Sequence, residues 1–148
     1  MRVTFGSFGQ PDFFKPNYLI RNGKSYDIFS IGSHETKLLR DGMIFGLPQL
    51  MREMYSEKTN VLCYASSGGH EPCSLGVTLA EEFGSLNAVK DRFHIHAMDI
   101  NPSLVELGKD GLIILSKIDV ECFDVFDTVE FNDFFANPEP VNNEEYGN

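Results

Sequence analysis

An α/β fold is predicted by three observations. An Asn-Gly pair sits between two apolar-rich runs. A short apolar run, "NVLCYA", ends in a glycine-containing loop that enters an amphipathic stretch. A second run, "FHIHAMDI", ends in an acid before another amphipathic stretch. Strand, glycine loop, helix, strand ending in an acid, helix is half of a doubly wound nucleotide-binding unit. At 148 residues the chain has the size of one domain with one core. An apolar fraction of 42%, with thirteen Phe, places it among folded globules.

The elements follow in order. The first thirty residues read as β structure, because Asn22-Gly23 in "NYLIRNGKSYDIFSI" readily takes the positive φ angles of a two-residue hairpin turn. In "LPQLMREMYSEK", Leu47, Leu50, Met51, Met54 and Tyr55 recur at helical spacing, so one apolar stripe is expected to face the core. Asn60 to Ala65 is short and apolar enough for a buried strand. Pro72 then stands where a helix would start, a position that tolerates its missing N–H. Leu75, Leu79 and Phe83 continue that helix at i, i+4 and i+8, and Phe93, Ile95 and Ala97 alternate in the next strand. Asn101-Pro102 caps and opens a further helix that stops near Gly111. Beyond it, "LIILSKIDVECFDVFDTVEFNDFF" has room for one or two strands, and "ANPEPVNNEEYGN" reads as a mobile terminus.

Composition excludes several classes. The net charge of −10 is uneven: nine acids and no Lys or Arg follow Lys117, leaving 13 acids against 12 bases in the first 118 residues. The body is nearly neutral and offers no basic stripe, so nucleic acid is not an expected partner. No run approaches the ~18 apolar residues of a membrane span. The amino terminus lacks a secretory layout, and three cysteines make no disulfide framework, so a cytoplasmic setting is expected.

The stretch that carries chemistry is "CYASSGGHEPCSLGVTL", Cys63 to Leu79. A loop between a strand and a helix offers backbone N–H groups and the helix's positive end. Ala65, Ser66, Ser67, Gly68 and Gly69 are small enough for a ligand to approach the main chain. Asp99, at the end of the next strand, stands where an acid accepts hydrogen bonds from ribose hydroxyls. No Gly-Lys-Ser/Thr follows, so the loop is not a phosphate-binding P-loop, and it is not a G-x-G-x-x-G fingerprint either. Spacing alone serves a nucleoside-like cofactor and a plain structural turn equally well. A metal set of His70, His94, His96, Cys63 and Cys73 would need ligands converging from distant loops, so no metal is expected. Cys73 as a nucleophile with His70 as its base is a weaker reading of the same helix start.

The stretch "VLCYASSGGHEPCSLGVTL" resembles, without a gap, the cofactor loop of the chemoreceptor glutamate methyltransferase family (CheR-type), whose pattern is Ala-Gly-Cys-Ser-Thr-Gly-Glu-Glu-Pro-Tyr-Ser-Leu-Ala. Ser67, Gly69, Glu71, Pro72, Ser74 and Leu75 match it. "HAMDINPSLVELGKDG" is similar to the family's Ala-Thr-Asp-Ile-Asp/Asn segment, and "HETKLLRDGMIFGLPQL" to its Asn-x-Thr-x-Phe-Phe-Arg-Asp signature, with Thr36, Arg40 and Asp41 in step. The resemblance covers about residues 34 to 114. It implies S-adenosylmethionine as cofactor, held by Thr36, Arg40, Ala65, Ser66, Ser67, Gly69, Glu71 and Asp99. It also implies Arg40 at the reacting centre and methyl transfer to a glutamate carboxylate of a protein such as a chemoreceptor. Such an acceptor is already ionised at neutral pH, so the enzyme's task is alignment.

The chain also departs from the family. Ala65 replaces the central loop glycine, His70 the first of two glutamates, Cys73 the tyrosine, Leu38-Leu39 the Phe-Phe pair and His34 the signature Asn. A β-hairpin stands where the family has a basic helical domain, and the family's later strands have no counterpart after Gly111. The expected organisation is a hairpin extension over residues 1–33, a truncated methyltransferase-like α/β domain over 34–135 and an acidic tail over 136–148. Within it, a partial Rossmann-like sheet is expected. A natural miniature, a fragment, or a chain whose incomplete sheet is covered by a second copy or another chain would all fit. The functional expectation is a carboxylate methyltransferase of chemotaxis type. The alternative is a non-catalytic relative that binds cofactor or partner in signalling.

Overall fold

The structure, a computed structural model, describes residues 2–5, 18–27, 42–54, 58–115, 117–135, 139–140 and 146–147. The hairpin forms where the turn chemistry places it. Strands β2 (Tyr18–Arg21) and β3 (Lys24–Asp27) pair antiparallel, with Asn22 at φ 52° and Gly23 at φ 75°. Both turn residues are left-handed, as a type I′ turn requires. The helix α1 (Gly42–Met54) contains Pro48 and packs on the helix α2 (His70–Phe83). Strand β4 (Thr59–Tyr64) leads into α2, then the helix α3 (Leu86–Arg92) and strand β5 (Phe93–Met98). β4 and β5 pair in parallel from Thr59↔Phe93 to Tyr64↔Met98, so the strand–helix–strand expectation holds. The helix α4 (Pro102–Lys109) is capped by Asn101, whose side chain accepts from Ser103 N–H at 2.9 Å, with Pro102 as its first residue. Gly111, at φ 71°, follows the helix end.

Two differences from expectation stand out, and the run expected to hold one or two strands holds one. The helix α2 begins at His70, with Gly69 (φ 91°) before it, so Pro72 is its third residue rather than its first. Among the described side chains of α1, Pro48 and Met51 are buried while Leu47, Leu50 and Met54 are exposed; Tyr55 lies outside the described residues. The apolar stripe read as core is therefore mostly surface, with Met51 joining the core cluster that α2 supplies. After strand β6 (Leu112–Leu115) there is no second full strand among residues 117–135. Instead come the short helix α5 (Lys117–Glu121), a 3-10 turn over Cys122–Val125 and the helix α6 (Phe131–Phe134). Phe123 sits edge-on to Phe126, Phe131 and Phe135, with centroids 5.2–5.9 Å apart. Burying that cluster, together with Val129, is what these short turns achieve.

The described strands form three small sheets rather than one continuous sheet. β6 lies parallel to β1 (Arg2–Phe5), which is flanked on its other side by the two-residue strand β7 (Glu139–Pro140). The two-residue strand β8 (Tyr146–Gly147) pairs with β2; the rest of the expected mobile terminus lies outside the described residues. All four residues of β6 are buried, the pattern of a parallel strand covered on both faces. Among the described residues, β4 and β5 are covered on one face only. Cys63 and Phe93 join the core with Leu75, Val77, Leu79 and Ala80 of α2, while Leu62, Tyr64 and Met98 on the opposite face are exposed.

The hairpin is packed down on this body. Leu19 and Tyr26 share an apolar cluster with Leu104 and Leu107 of α4 and Leu112 and Ile114 of β6. Asp110, just past α4, accepts from Lys24 Nζ at 2.7 Å and from Tyr26 Oη at 2.5 Å. These two donors hold its carboxyl below the usual range, and burial raises the Tyr26 phenol. A four-donor site anchors the carboxyl-terminal segment. The Glu81 carboxylate on α2 accepts from the N–H groups of Asp127, Thr128 and Val129 and from the Thr128 hydroxyl. Among the described residues no helix is long and apolar enough to cross a membrane.

Candidate functional site

The loop from Ala65 to Gly69 emerges at the carboxyl end of β4, beside Asp99 at the carboxyl end of β5. Its shape is unusual for residues with side chains. Ala65 (φ 60°), Ser67 (φ 49°) and Gly69 (φ 91°) alternate in the left-handed region. For Ala and Ser that conformation costs about 1–2 kcal/mol each. The surrounding bonds hold it. Ser66 N–H donates to Met98 O at 2.9 Å, Ser67 N–H to Asp99 Oδ2 at 2.7 Å and Gly69 N–H to Ser66 O at 3.0 Å. The other Asp99 oxygen, Oδ1, accepts from Asn101 N–H at 2.8 Å. One carboxylate therefore latches the loop after β4 to the entry of α4, and each of its oxygens retains a second lone pair.

Ser66, Ser67 and Gly68 are buried, and the Ser67 hydroxyl oxygen has no partner. An unpartnered buried polar atom calls for a ligand, a water or an ion. Beside it lies a cavity of about 310 Å³, walled by Ser66, Ser67, Gly68, Pro72, Ala97 and Leu104. That volume falls at the small end of the ~300–1,000 Å³ typical of ligand sites. The first-turn amides of α2 precede its first backbone bond, Cys73 N–H to Gly69 O at 3.1 Å, so His70 and Glu71 have no acceptor within the helix. Together these groups suit a nucleoside-like molecule: small residues against the main chain, N–H groups at a positive helix end, and a carboxylate for hydroxyls.

Of the residues expected at the cofactor, Ser66, Ser67 and Gly69 line the cavity; Asp99 bonds the loop from beside it and Ala65 is exposed, and neither forms part of the cavity wall. Glu71 is exposed on the first turn of α2. Thr36 and Arg40 lie outside the described residues. The metal reading gains nothing: among the described residues no three His, Cys, Asp or Glu side chains gather. His94 and His96 are exposed on β5, with His96 Nε2 3.4 Å from Asn60 Oδ1, whereas His70 is buried. The thiol reading fails too. Burial and the nearby Cys63 push Cys73 up to about 12, and burial pushes Cys63 up to about 11. The imidazole of His70 is bonded to Ile114 O at 2.6 Å rather than placed as a base for a thiol.

The sequence did not reveal the wall that α4 contributes to the cavity or the inward course of His70. An apolar pair at Leu104 and Leu107 was a local signal for the first. No local signal existed for the second, because the partner of His70 is 44 positions away.

The family model for the CheR methyltransferase, SAM binding domain, matches residues 21–121, more than half of the chain. No curated protein matches the chain, and no solved structure does. The matched segment contains β3, the loop after β4, Asp99 and the residues that wall the cavity. The chain belongs to the CheR methyltransferase family through its SAM-binding domain, and its cofactor is S-adenosylmethionine.

Proposed function

We propose that the protein is an S-adenosylmethionine-dependent methyltransferase whose acceptor is a carboxylate, a glutamate side chain of a protein such as a chemoreceptor. The observation that carries this reading is the Asp99 latch, a carboxylate at the end of one parallel strand fixing the small-residue loop at the end of its neighbour. We read β4–α2–β5 as the first half of a Rossmann-like unit, with the loop and Asp99 at its ligand-binding end.

In this reading the free lone pairs of Asp99 accept from ribose hydroxyls. The Ser67 hydroxyl and the first amides of α2 bind the polar end of the cofactor, and Glu71 supports it from the same helix turn. Arg40 and Thr36 close over the reacting centre. The cofactor supplies an electrophilic methyl group on a sulfonium. Transfer of that methyl to an acceptor oxygen, with the sulfonium sulfur leaving as a neutral thioether, would need no base from the protein, because the carboxylate is already ionised. The protein contributes alignment.

Calorimetric titration with S-adenosylmethionine and S-adenosylhomocysteine tests the reading. Micromolar binding is expected in the wild type and loss of binding in Asp99→Ala. Transfer of labelled methyl to a glutamate-bearing protein is expected to fail in Arg40→Ala. Absence of binding at millimolar cofactor would overturn the reading. A second reading, a cofactor-dependent binding protein without turnover, is favoured by the face of β4–β5 that is bare among the described residues, where Leu62, Tyr64 and Met98 are exposed on a type of sheet usually covered on both sides. Turnover by the chain alone would exclude it.

A further inference from the structure

We infer that His70 is a positioning residue that ties the cofactor loop to β6, so that the loop keeps its holding shape only while the imidazole bonds the carbonyl of Ile114. The cofactor readout below rests on the functional reading above; the geometry does not.

His70 follows Gly69 directly and is the first residue of α2, so its ring and the loop share one junction. The ring is 3% exposed, and its Nε2 lies 2.6 Å from Ile114 O. A carbonyl only accepts, so Nε2 carries the proton. In a neutral ring Nδ1 is then an acceptor, and it is buried without a partner. Leaving such an atom unsatisfied costs folding free energy. An aliphatic side chain would fill the same space without that cost. The position therefore holds a residue chosen for its bond rather than for its volume.

The bond joins two separate sheets. The loop belongs to β4–β5, whereas Ile114 is in β6, which pairs with β1. Asp119, buried at the start of α5, adds a negative charge that acts on the ring from the segment beyond β6. At the junction itself, His70 O accepts from the Ser74 hydroxyl at 2.7 Å, which fixes the first turn from the helix side. The strained loop is thus held at three points: Met98 and Asp99 from β5, and Ile114 from β6 through His70.

Amide hydrogen exchange at Ser66, Ser67 and Gly69, with cofactor titration in parallel, tests this on the full chain and its variants. His70→Leu fills the space and removes the donor; His70→Gln puts an amide N–H near the position of Nε2. The expected result is about tenfold faster exchange and about tenfold weaker binding for Leu, with Gln within about threefold of wild type in both. Equal behaviour of Leu and Gln would overturn the inference, because a space-filling role cannot tell them apart. If His70→Leu does not fold, His70→Asn, whose amide stops short of Ile114 O, is compared with Gln, and equal exchange rates would again overturn it. A wild type that binds no cofactor would sink the functional reading, and the exchange comparison would still decide this one.

Discussion

Removing the Glu81 carboxylate is expected to loosen the carboxyl-terminal third of the protein. The side chain accepts Asp127 N–H at 3.1 Å, Thr128 N–H at 2.9 Å, Val129 N–H at 3.2 Å and the Thr128 hydroxyl at 3.3 Å. Hydrogen bonds to a charged acceptor contribute about 1.5–3 kcal/mol each when shielded. Asp127 and Thr128 are exposed, so the summed value must be cut well below three such bonds. A loss of about 2–3 kcal/mol for Glu81→Ala is reasonable on that basis. Glu81→Gln keeps one acceptor oxygen and turns its NH2 toward N–H donors, for about 1–2 kcal/mol. For a chain of this length 1 kcal/mol moves Tm by about 2–4 °C, so Ala should lower Tm by about 4–12 °C. Thermal melting by circular dichroism gives the shift, and hydrogen exchange at residues 127–129 gives its location. A shift below about 1 °C with unchanged exchange at those amides would refute the reasoning.

Two further outcomes follow from buried groups. Burial lowers the pKa of His70 from 6.5, and the bond to Ile114 and the charge of Asp119 only partly oppose it. The unfolded chain therefore takes up a proton below pH 6.5 that the folded chain resists, and stability falls as pH drops through 6.5, by at most about 1.4 kcal/mol per unit for this group. Subtracting the His70→Gln stability profile from the wild type between pH 7.5 and 5.5 should isolate that slope, and parallel profiles would contradict it. Cys63 and Cys73, pushed up to about 11 and about 12, carry almost no thiolate at pH 8. Iodoacetamide should leave both unlabelled in the folded protein and label both in denaturant, as read by peptide mass spectrometry.

The elements most legible in the sequence are those specified by local chemistry. Asn22-Gly23 needs only its own permissive backbone to make the hairpin, and Asn101-Pro102 needs only its neighbours to start α4. Asp99 was readable because strand ends and acids have a fixed spacing from the preceding loop. The face of α1 was misread because periodicity shows which residues lie together, not how many of them the fold covers. Nothing nearby in sequence marks the tie from His70 to Ile114 or the anchor from Glu81 to residues 127–129, since both join segments more than forty positions apart. The run after Gly111 left one or two strands open; one forms, and the Phe-rich part from Phe123 to Phe135 instead packs five rings into one cluster through tight helical turns.

The placement of β1 has a consequence for synthesis. Arg2–Phe5 is polymerised well before its partners, Leu112–Leu115 on one side and Glu139–Pro140 on the other. At the usual ~5–20 residues per second, the first of those partners follows about 5–20 s later. During that interval neither of these two pairings can form, and the sheet closes only when both partners have been made. Slow, long-range pairing of this kind lengthens folding and favours capture of the early segment by a chaperone or by another nascent chain.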